Sequence, residues 1–233
     1  MKWTVFKRLS SFWARPRCAC CDRLLHRSEA VFCSPCQMHL EPTGFEASPR
    51  DNAAMRLFFL RVPLDKAVSL YHFHSGNPVA RAIYRMKYGR RPSIAVALGR
   101  MAARQLTPTG FFDGIDGIVP VPLTRWRRFT RGFNQSEKLA LGVASVAPMA
   151  IEKRLVRRKV FARSQASQAG FQRGNDLFPA FAPCAGADAK GRRLLVIDDV
   201  VTTGATAMAV AKHLFALGAA SVSLLTVAYT GEG

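Results

Sequence analysis

The stretch LLVIDDVVTTGATAMAVAKHL, Leu194 to Leu214, constrains the fold more than any other part of the chain. Four aliphatic residues run into two adjacent aspartates. A continuous apolar run suits a strand buried on both faces, inside a parallel sheet. In open α/β sheets, ligands gather beyond the carboxyl ends of the strands. Asp198 and Asp199 are expected at such an end. After them, Thr202, Thr203 and Thr206 provide hydroxyls, and Gly204 lets the backbone come close to a ligand. Free N–H groups at the following helix start favour an anion. Acceptors for sugar hydroxyls or a hydrated Mg2+ thus stand beside a cradle for one phosphate, and a ribose 5-phosphate requires that pair. The plain alternative is an αβ turn whose Asp and Thr cap a helix. A cap needs one such residue, and two acids followed by T-T-G-x-T exceed it. Neither G-x-x-x-x-G-K-[ST] nor G-x-G-x-x-G occurs in the chain, so no P-loop or dinucleotide fingerprint competes.

Strands and helices alternate through the last two thirds of the chain. Residues 65–73, 116–123, 193–199 and 221–229 read as strands. Residues 77–88, 93–106, 134–147 and 206–219 read as helices. Asn77 and Pro78 mark a cap and a first helical position, and Gly218 stops the last helix. Helices between buried strands imply a mostly parallel sheet covered on both faces. Four parts are expected: a basic N-terminal segment (1–17), a cysteine-rich module (18–40), a linker (41–64) and the α/β domain (65–233). Trp3, Phe6, Leu9, Phe12 and Trp13 fall near one helical face among bases. That pattern suits a short amphipathic helix on an anionic surface, or equally one packed on its own protein. No apolar run reaches the roughly 20 residues that span a bilayer, and no apolar region of a cleaved signal follows the start. The expected compartment is the cytosol, with a peripheral place at the inner face of the membrane as a variant.

Cys18, Cys21, Cys33 and Cys36 form two C-x-x-C pairs. In the cytosol cysteines serve metals more often than disulfides, and four thiolates from two such pairs make a tetrahedral zinc site. A segment this short cannot bury a core, so the metal would supply its folding energy. Cys20 and Cys184 are left as structural thiols. The formal net charge is +19, and between Arg125 and Arg173 12 bases face 2 acids. Such a field attracts phosphates, pyrophosphate or nucleic acid; the alternative is a solvated surface. Lys153, Arg154, Arg157, Arg158 and Lys159 are the bases expected to meet single-stranded DNA, with Trp126, Phe129 and Phe133 available to stack on bases.

The segment VIDDVVTTGAT resembles the phosphoribosyl pyrophosphate (PRPP) motif of type I phosphoribosyltransferases. YHFHSGNPVARAIYRMKYG, VPVPL, RGFNQSEKLA and the cysteine-rich start resemble the ComF family, over about residues 18–230. The resemblance implies a type I phosphoribosyltransferase fold, a mostly parallel sheet flanked by helices, with a small N-terminal zinc ribbon. It implies that Asp198 and Asp199 take the ribose. Val201, Thr202, Thr203, Gly204, Ala205 and Thr206 would take the 5-phosphate. Val121, Pro122, Leu123 and Thr124 would meet the pyrophosphate with backbone groups, and Arg127, Arg128 and Arg131 with charge, since arginine forks suit phosphate oxygens. Asp198 and Asp199 are the catalytic candidates, Asp199 the preferred general base. Expected cofactors are structural zinc and Mg2+ with PRPP. Ala162 and Gln168 depart from the family pattern in the loop expected to close over the substrate. Two functions follow. One is a PRPP-binding protein of DNA uptake in natural competence, meeting single-stranded DNA or the competence helicase machinery. The other is an active Mg2+-dependent phosphoribosyltransferase of nucleotide or amine metabolism, similar to amidophosphoribosyltransferases.

Overall fold

The computed structural model describes residues 16–159 and 177–231. Strands β1 (Ala67–His72), β2 (Gly117–Pro120) and β3 (Ala150–Ile151) come first along the chain. An antiparallel pair, β4 (Val156–Arg158) and β5 (Phe181–Pro183), precedes β6 (Arg193–Val201) and β7 (Ser221–Tyr229). The main sheet has the order β1-β7-β6-β2-β3, and each pairing in it is parallel. Leu194 to Ile197 are fully buried at its centre, as a continuous aliphatic run requires.

The helices are α1 (Ser34–Gln37), α2 (Ala53–Arg56), α3 (Pro78–Tyr88), α4 (Pro92–Leu106), α5 (Arg125–Arg131), α6 (Gln135–Ala144) and α7 (Ala205–Ala216). Asn77 caps α3, its side chain accepting from the Ala80 N–H at 2.8 Å, with Pro78 in the first turn. Asn134 caps α6 in the same way through the Ser136 N–H. Each cap satisfies one N–H of its helix start, which matters because α7, near the site, has no such side-chain cap. The strand expected at 116–123 is confined to β2, because Pro122 has no N–H for a ladder. The strand expected to stop at Asp199 runs on to Val201.

Helices α4 and α6 cross where Gly99 meets Gly142. A Cβ on Gly99 would collide with the Leu139 carbonyl, and one on Gly142 with the Val96 carbonyl. Both obstacles are backbone, so nothing can swing aside. Gly99→Ala is therefore expected to cost about 1–3 kcal/mol, the usual range for overpacking, read from a urea melt; an unchanged midpoint would refute this tight crossing.

Residues 41–64, expected as a linker, are instead packed on the α/β core. The Thr43 N–H donates to the Leu70 carbonyl at 3.0 Å. Asn52 caps α2 through the Met55 N–H and donates to the carbonyls of Ser48 and Ala67, each at 2.9 Å. Phe45, Ala54, Phe58 and Val62 are buried. Their partners lie far along the chain, so scattered apolar residues in a polar stretch gave no periodic signal. No described helix is long and apolar enough to cross a membrane. The amphipathic reading of 1–17 falls almost wholly outside the described residues, as do Ala162, Arg163, Gln168 and Arg173.

Candidate functional site

The cavity lies at the carboxyl end of β6. Asp198, Val200, Val201, Thr202, Thr203, Gly204, Ala205 and Thr206 line it, together with Thr226 of β7. Gly204 is the residue before α7, with φ at +73°, a left-handed conformation that glycine takes without steric cost. It also sits against Phe58, whose ring would lie 3.0 Å from an added Cβ. Unlike α3 and α6, α7 has no side-chain cap. Its first N–H groups are thus left for whatever enters the cavity, and they favour an anion. Gly204→Ala should weaken phosphate binding more than it lowers stability, because the loop must change shape; calorimetry and melting of the same variant check this.

Because β6 continues past the aspartates, the two carboxylates alternate across the pleat. Asp198 lines the cavity. Its Oδ1 accepts from the Ser136 hydroxyl at 3.0 Å and from the Asp199 N–H at 2.9 Å. Burial and the neighbouring Asp199 charge raise the Asp198 carboxyl to about 7, against the opposing pull of those donors and of Lys87. Asp199, only 7% exposed, pairs with the Lys87 ammonium of α3 at 2.9 Å. One acid therefore faces the cavity while the other is neutralised from a separate helix. Asp199, preferred from sequence as the general base, is the one held by the cation.

The expected pyrophosphate turn lies next to this strand. Pro120 of β2 pairs with Ile197 of β6, and the Val121 N–H donates to the Ile197 carbonyl at 3.0 Å. Asn134 pins the turn from the other side, its Nδ2 donating to the Val121 carbonyl at 3.0 Å. Pro122, Leu123 and Thr124 thus leave β2 beside the two aspartates. Arg128 reaches Glu137 at 3.5 Å, and Arg131 donates to the Gln135 side chain at 3.3 Å. The backbone of Arg127 is in α5, and its side chain lies outside the described residues. Phe133, expected to be available for stacking, is buried in the core, whereas Trp126 and Phe129 are exposed.

Sequence reasoning missed Lys87, Asn134 and Ser136. Asn134, Gln135 and Ser136 form a run of three buried polar residues, and burial of such groups demands partners. That run was visible as NQS but could not reveal which strand it served. The ion pair Lys87–Asp199 is largely buried, and breaking a buried pair from one side typically costs about 3–5 kcal/mol. Lys87→Met should lie near the lower end, and adding Asp199→Asn should recover much of the loss. A double-mutant cycle with no coupling would contradict the pairing.

A second cluster sits in the N-terminal module. Cys18, Cys21, Cys33 and Cys36 bring their sulfurs within 4.8 Å of one another, and Cys20 is not among them. The Cys21 and Cys33 sulfurs are 3.6 Å apart. A tetrahedral zinc with bonds of about 2.3 Å would place its sulfurs about 3.8 Å apart, so the four thiols fit a metal ion. The Cys33 N–H donates to the Cys18 sulfur at 3.4 Å. Burial acts to raise the Cys18 thiol, but the N–H donors of Cys21, Cys33 and Cys20 outweigh it and hold it at about 7. Burial and the neighbouring thiols push Cys36 up. The module is tied to α3 by Arg85, which donates to the Cys20 carbonyl at 3.1 Å and meets Asp22 at 2.7 Å. Arg91 reaches the same carboxylate at 2.5 Å. The Arg91 contact, then Arg85, holds Asp22 down to about 2 against its desolvation.

A five-stranded parallel sheet, an acidic pair at the end of one strand and a glycine-opened helix start define a phosphoribosyltransferase-type fold with a cysteine-rich module at its amino end. No family model matches the chain. Among its homologues, DNA utilization protein YhgH of Escherichia coli (strain K12) is 28% identical over 210 residues, 89% of this chain and 87% of that protein. Competence protein F of Haemophilus influenzae is 26% identical over 218 residues, 89% of this chain and 94% of that protein. Among solved structures, glutamine PRPP amidotransferase from B. subtilis overlays 61% of this chain and 30% of its own at 18% identity, with a TM-score of 0.41. That overlay is too loose to bear on the argument.

Proposed function

We propose that the chain is a PRPP-binding, phosphoribosyltransferase-like protein that serves DNA uptake in natural competence. The observation that carries this reading is the meeting of three features on adjacent strands. They are the Asp198 cavity, the uncapped start of α7 and the Val121–Thr124 turn. A ribose carrying phosphate at one end and pyrophosphate at the other matches that order of groups. In this reading Asp198, in the cavity, accepts from a ribose hydroxyl, and Asp199 does so on exchanging its Lys87 ion pair for the ligand. Val201 to Thr206 hold the 5-phosphate, and Val121 to Thr124 with Arg127, Arg128 and Arg131 hold the pyrophosphate. Mg2+ arriving with PRPP would be held by pyrophosphate oxygens and, through water, by the aspartates; a carboxylate donor set suits it. When bound it neutralises charge on the pyrophosphate. Zinc, on the four cysteines, is structural.

The competence part of the reading leans on the names of the homologues and on the basic excess of the chain. Single-stranded DNA or the helicase machinery that handles it is the macromolecular partner, met at the inner side of the membrane. A second reading, an active transferase similar to amidophosphoribosyltransferases, is favoured by the intact acidic pair. Catalysis would then be positioning and charge stabilisation at the anomeric carbon. Of the two carboxylates, Asp198 lines the cavity and is the better placed to take a proton.

Calorimetric titration with PRPP and Mg2+, followed by single-stranded DNA on the same sample, tests both halves. Heat with PRPP only when Mg2+ is present is the expected result. No saturable PRPP binding would overturn the ribose-site assignment. Release of pyrophosphate on adding ammonia or a nucleobase would favour the transferase reading.

A further inference from the structure

Two pairs of aromatic rings stand exposed on the surface. Tyr84 and Tyr88 lie one turn apart on α3, so they share a face; they are 51% and 70% exposed. Their rings stack, with centroids 6.2 Å apart and planes 22° apart. Trp126 and Phe129 project from α5, 72% and 78% exposed, with ring centroids 6.3 Å apart. Arginine joins the two pairs. The Arg131 guanidinium lies over the Tyr88 ring, 5.8 Å from its centre. Arg90, just past α3, donates to the Thr130 carbonyl of α5 at 3.2 Å. The rings therefore lie on neighbouring elements held in register and are not isolated surface residues.

Charge identifies the partner. Helices α3 and α5 carry seven bases, Arg81, Arg85, Lys87, Arg125, Arg127, Arg128 and Arg131, and no acid; Asp22, Asp199 and Glu137 of neighbouring segments pair with Arg85, Lys87 and Arg128, and the balance stays basic. Flat apolar faces beside planar guanidinium groups, on a surface of net positive charge, suit a ligand with flat apolar rings on an anionic backbone. A folded protein offers no such repeat. A duplex hides its base faces. A single strand exposes both parts, and each base stacked on an aromatic ring contributes about 1–3 kcal/mol.

We propose that the Tyr84–Tyr88 and Trp126–Phe129 pairs, bridged by Arg131, form a stacking track for single-stranded nucleic acid. The track deepens the DNA-handling half of the function proposed above and rests on it. It moves the contact away from Lys153, Arg154, Arg157, Arg158 and Lys159, which belong to the segment around β4. It also sets the strand beside the pyrophosphate turn, because α5 follows Thr124 directly.

The test uses the full chain with its metal and a labelled 20-nucleotide oligothymidine at low salt. Tyr84→Ala/Tyr88→Ala and Trp126→Ala/Phe129→Ala are each expected to weaken binding at least tenfold. Melting temperature should hold in both, since the rings are exposed, and Tyr84→Ala/Tyr88→Ala should also bind Mg2+-PRPP as the wild type does. Stacking carries no charge, so the slope of log affinity against log salt should stay the same in both ring variants. In a variant with Lys153, Arg154, Arg157, Arg158 and Lys159 all changed to Gln the slope should also stay the same, since the track makes no use of those bases; a slope shallower by about 0.7 per contact would return the contact to them. An abasic oligomer of equal length should bind weakly and ignore the ring substitutions. Oligouridine in place of oligothymidine reports the source: weaker binding assigns the track to DNA, and equal or tighter binding assigns it to RNA, the rings being required in each case. Wild-type affinity in both ring variants, with DNA still bound, would overturn the track and leave the DNA-handling reading standing. No binding of oligothymidine by the wild type would remove both. Tighter binding to vesicles of anionic lipid, lost in the same ring variants, would assign the surface to a membrane and overturn the proposal.

Discussion

Replacing Asp198 and Asp199 together with asparagine is expected to abolish binding of Mg2+-PRPP and to leave the fold intact. Hydrogen bonds to charged groups contribute about 1.5–3 kcal/mol each, against about 0.5–1.5 for neutral ones, so discharging two acceptors should cost about 2 kcal/mol in the hydrogen bonds alone, and losing the charge that helps to hold Mg2+ removes the rest. The fold should survive, at a cost in stability from the broken Lys87–Asp199 charge pair, because asparagine keeps the acceptor that the Ser136 hydroxyl needs and one that Lys87 can still reach. A second readout follows from the Asp198 carboxyl, raised by burial to about 7. An unfolded aspartate titrates near 4. Between those values the native chain holds a proton that the unfolded chain has released. Stability without Mg2+ should therefore fall as pH rises from about 4 to about 7. The double variant should lose that part of the slope. Wild-type PRPP affinity in the double variant would sink the assignment of these acids to the ribose.

Cys21→Ser is expected to strip the chain of its metal, and Cys20→Ser to leave one zinc per chain. The four sulfurs that converge are those of Cys18, Cys21, Cys33 and Cys36, while Cys20 contributes its carbonyl to Arg85. Structural zinc in small peptides carries an apparent binding free energy of about 10–16 kcal/mol at neutral pH, far more than residues 18–40 gain from packing alone. Loss of the metal should open that segment to proteases while the sheet stays protected. Metal analysis of both variants, with limited proteolysis, decides it. Zinc retained in Cys21→Ser but lost from Cys20→Ser would overturn the ligand set.

The sequence carried the helices and strands where its local signals agreed. Asn77 with Pro78, and Gly218 after Leu217, marked ends that the structure places within a residue or two. The last strand, 221–229, coincides with β7. Local signals failed where the partner was distant. Phe58 gave no pattern in its own neighbourhood, yet it packs beneath Gly204. Helix α5 has exposed rings and no apolar stripe, so no periodicity announced it. Asp198 and Val200 to Thr206 were legible as neighbours because one short stretch supplies nearly all of the cavity lining. The division of labour between Asp198 and Asp199 was not legible. It depends on β6 running two residues further and on a lysine from α3, and neither is written near the acids.

Helix α3 gives these pieces a mechanical relation. Arg85 and Lys87 are two residues apart, and so point to opposite sides of the helix. One grips the carbonyls and carboxylate of the cysteine module, while the other holds the acid at the end of β6. The helix is in effect a tie-bar bolted at both ends. Severing the chain between the cysteine module and β1 would leave Asp22 without its two arginines on one fragment. On the other it would strand Arg85 and Arg91 uncovered, two and four residues from the lysine that steadies Asp199. Fragments prepared to separate a metal-binding half from a sugar-phosphate half should each be less stable than their share of the whole.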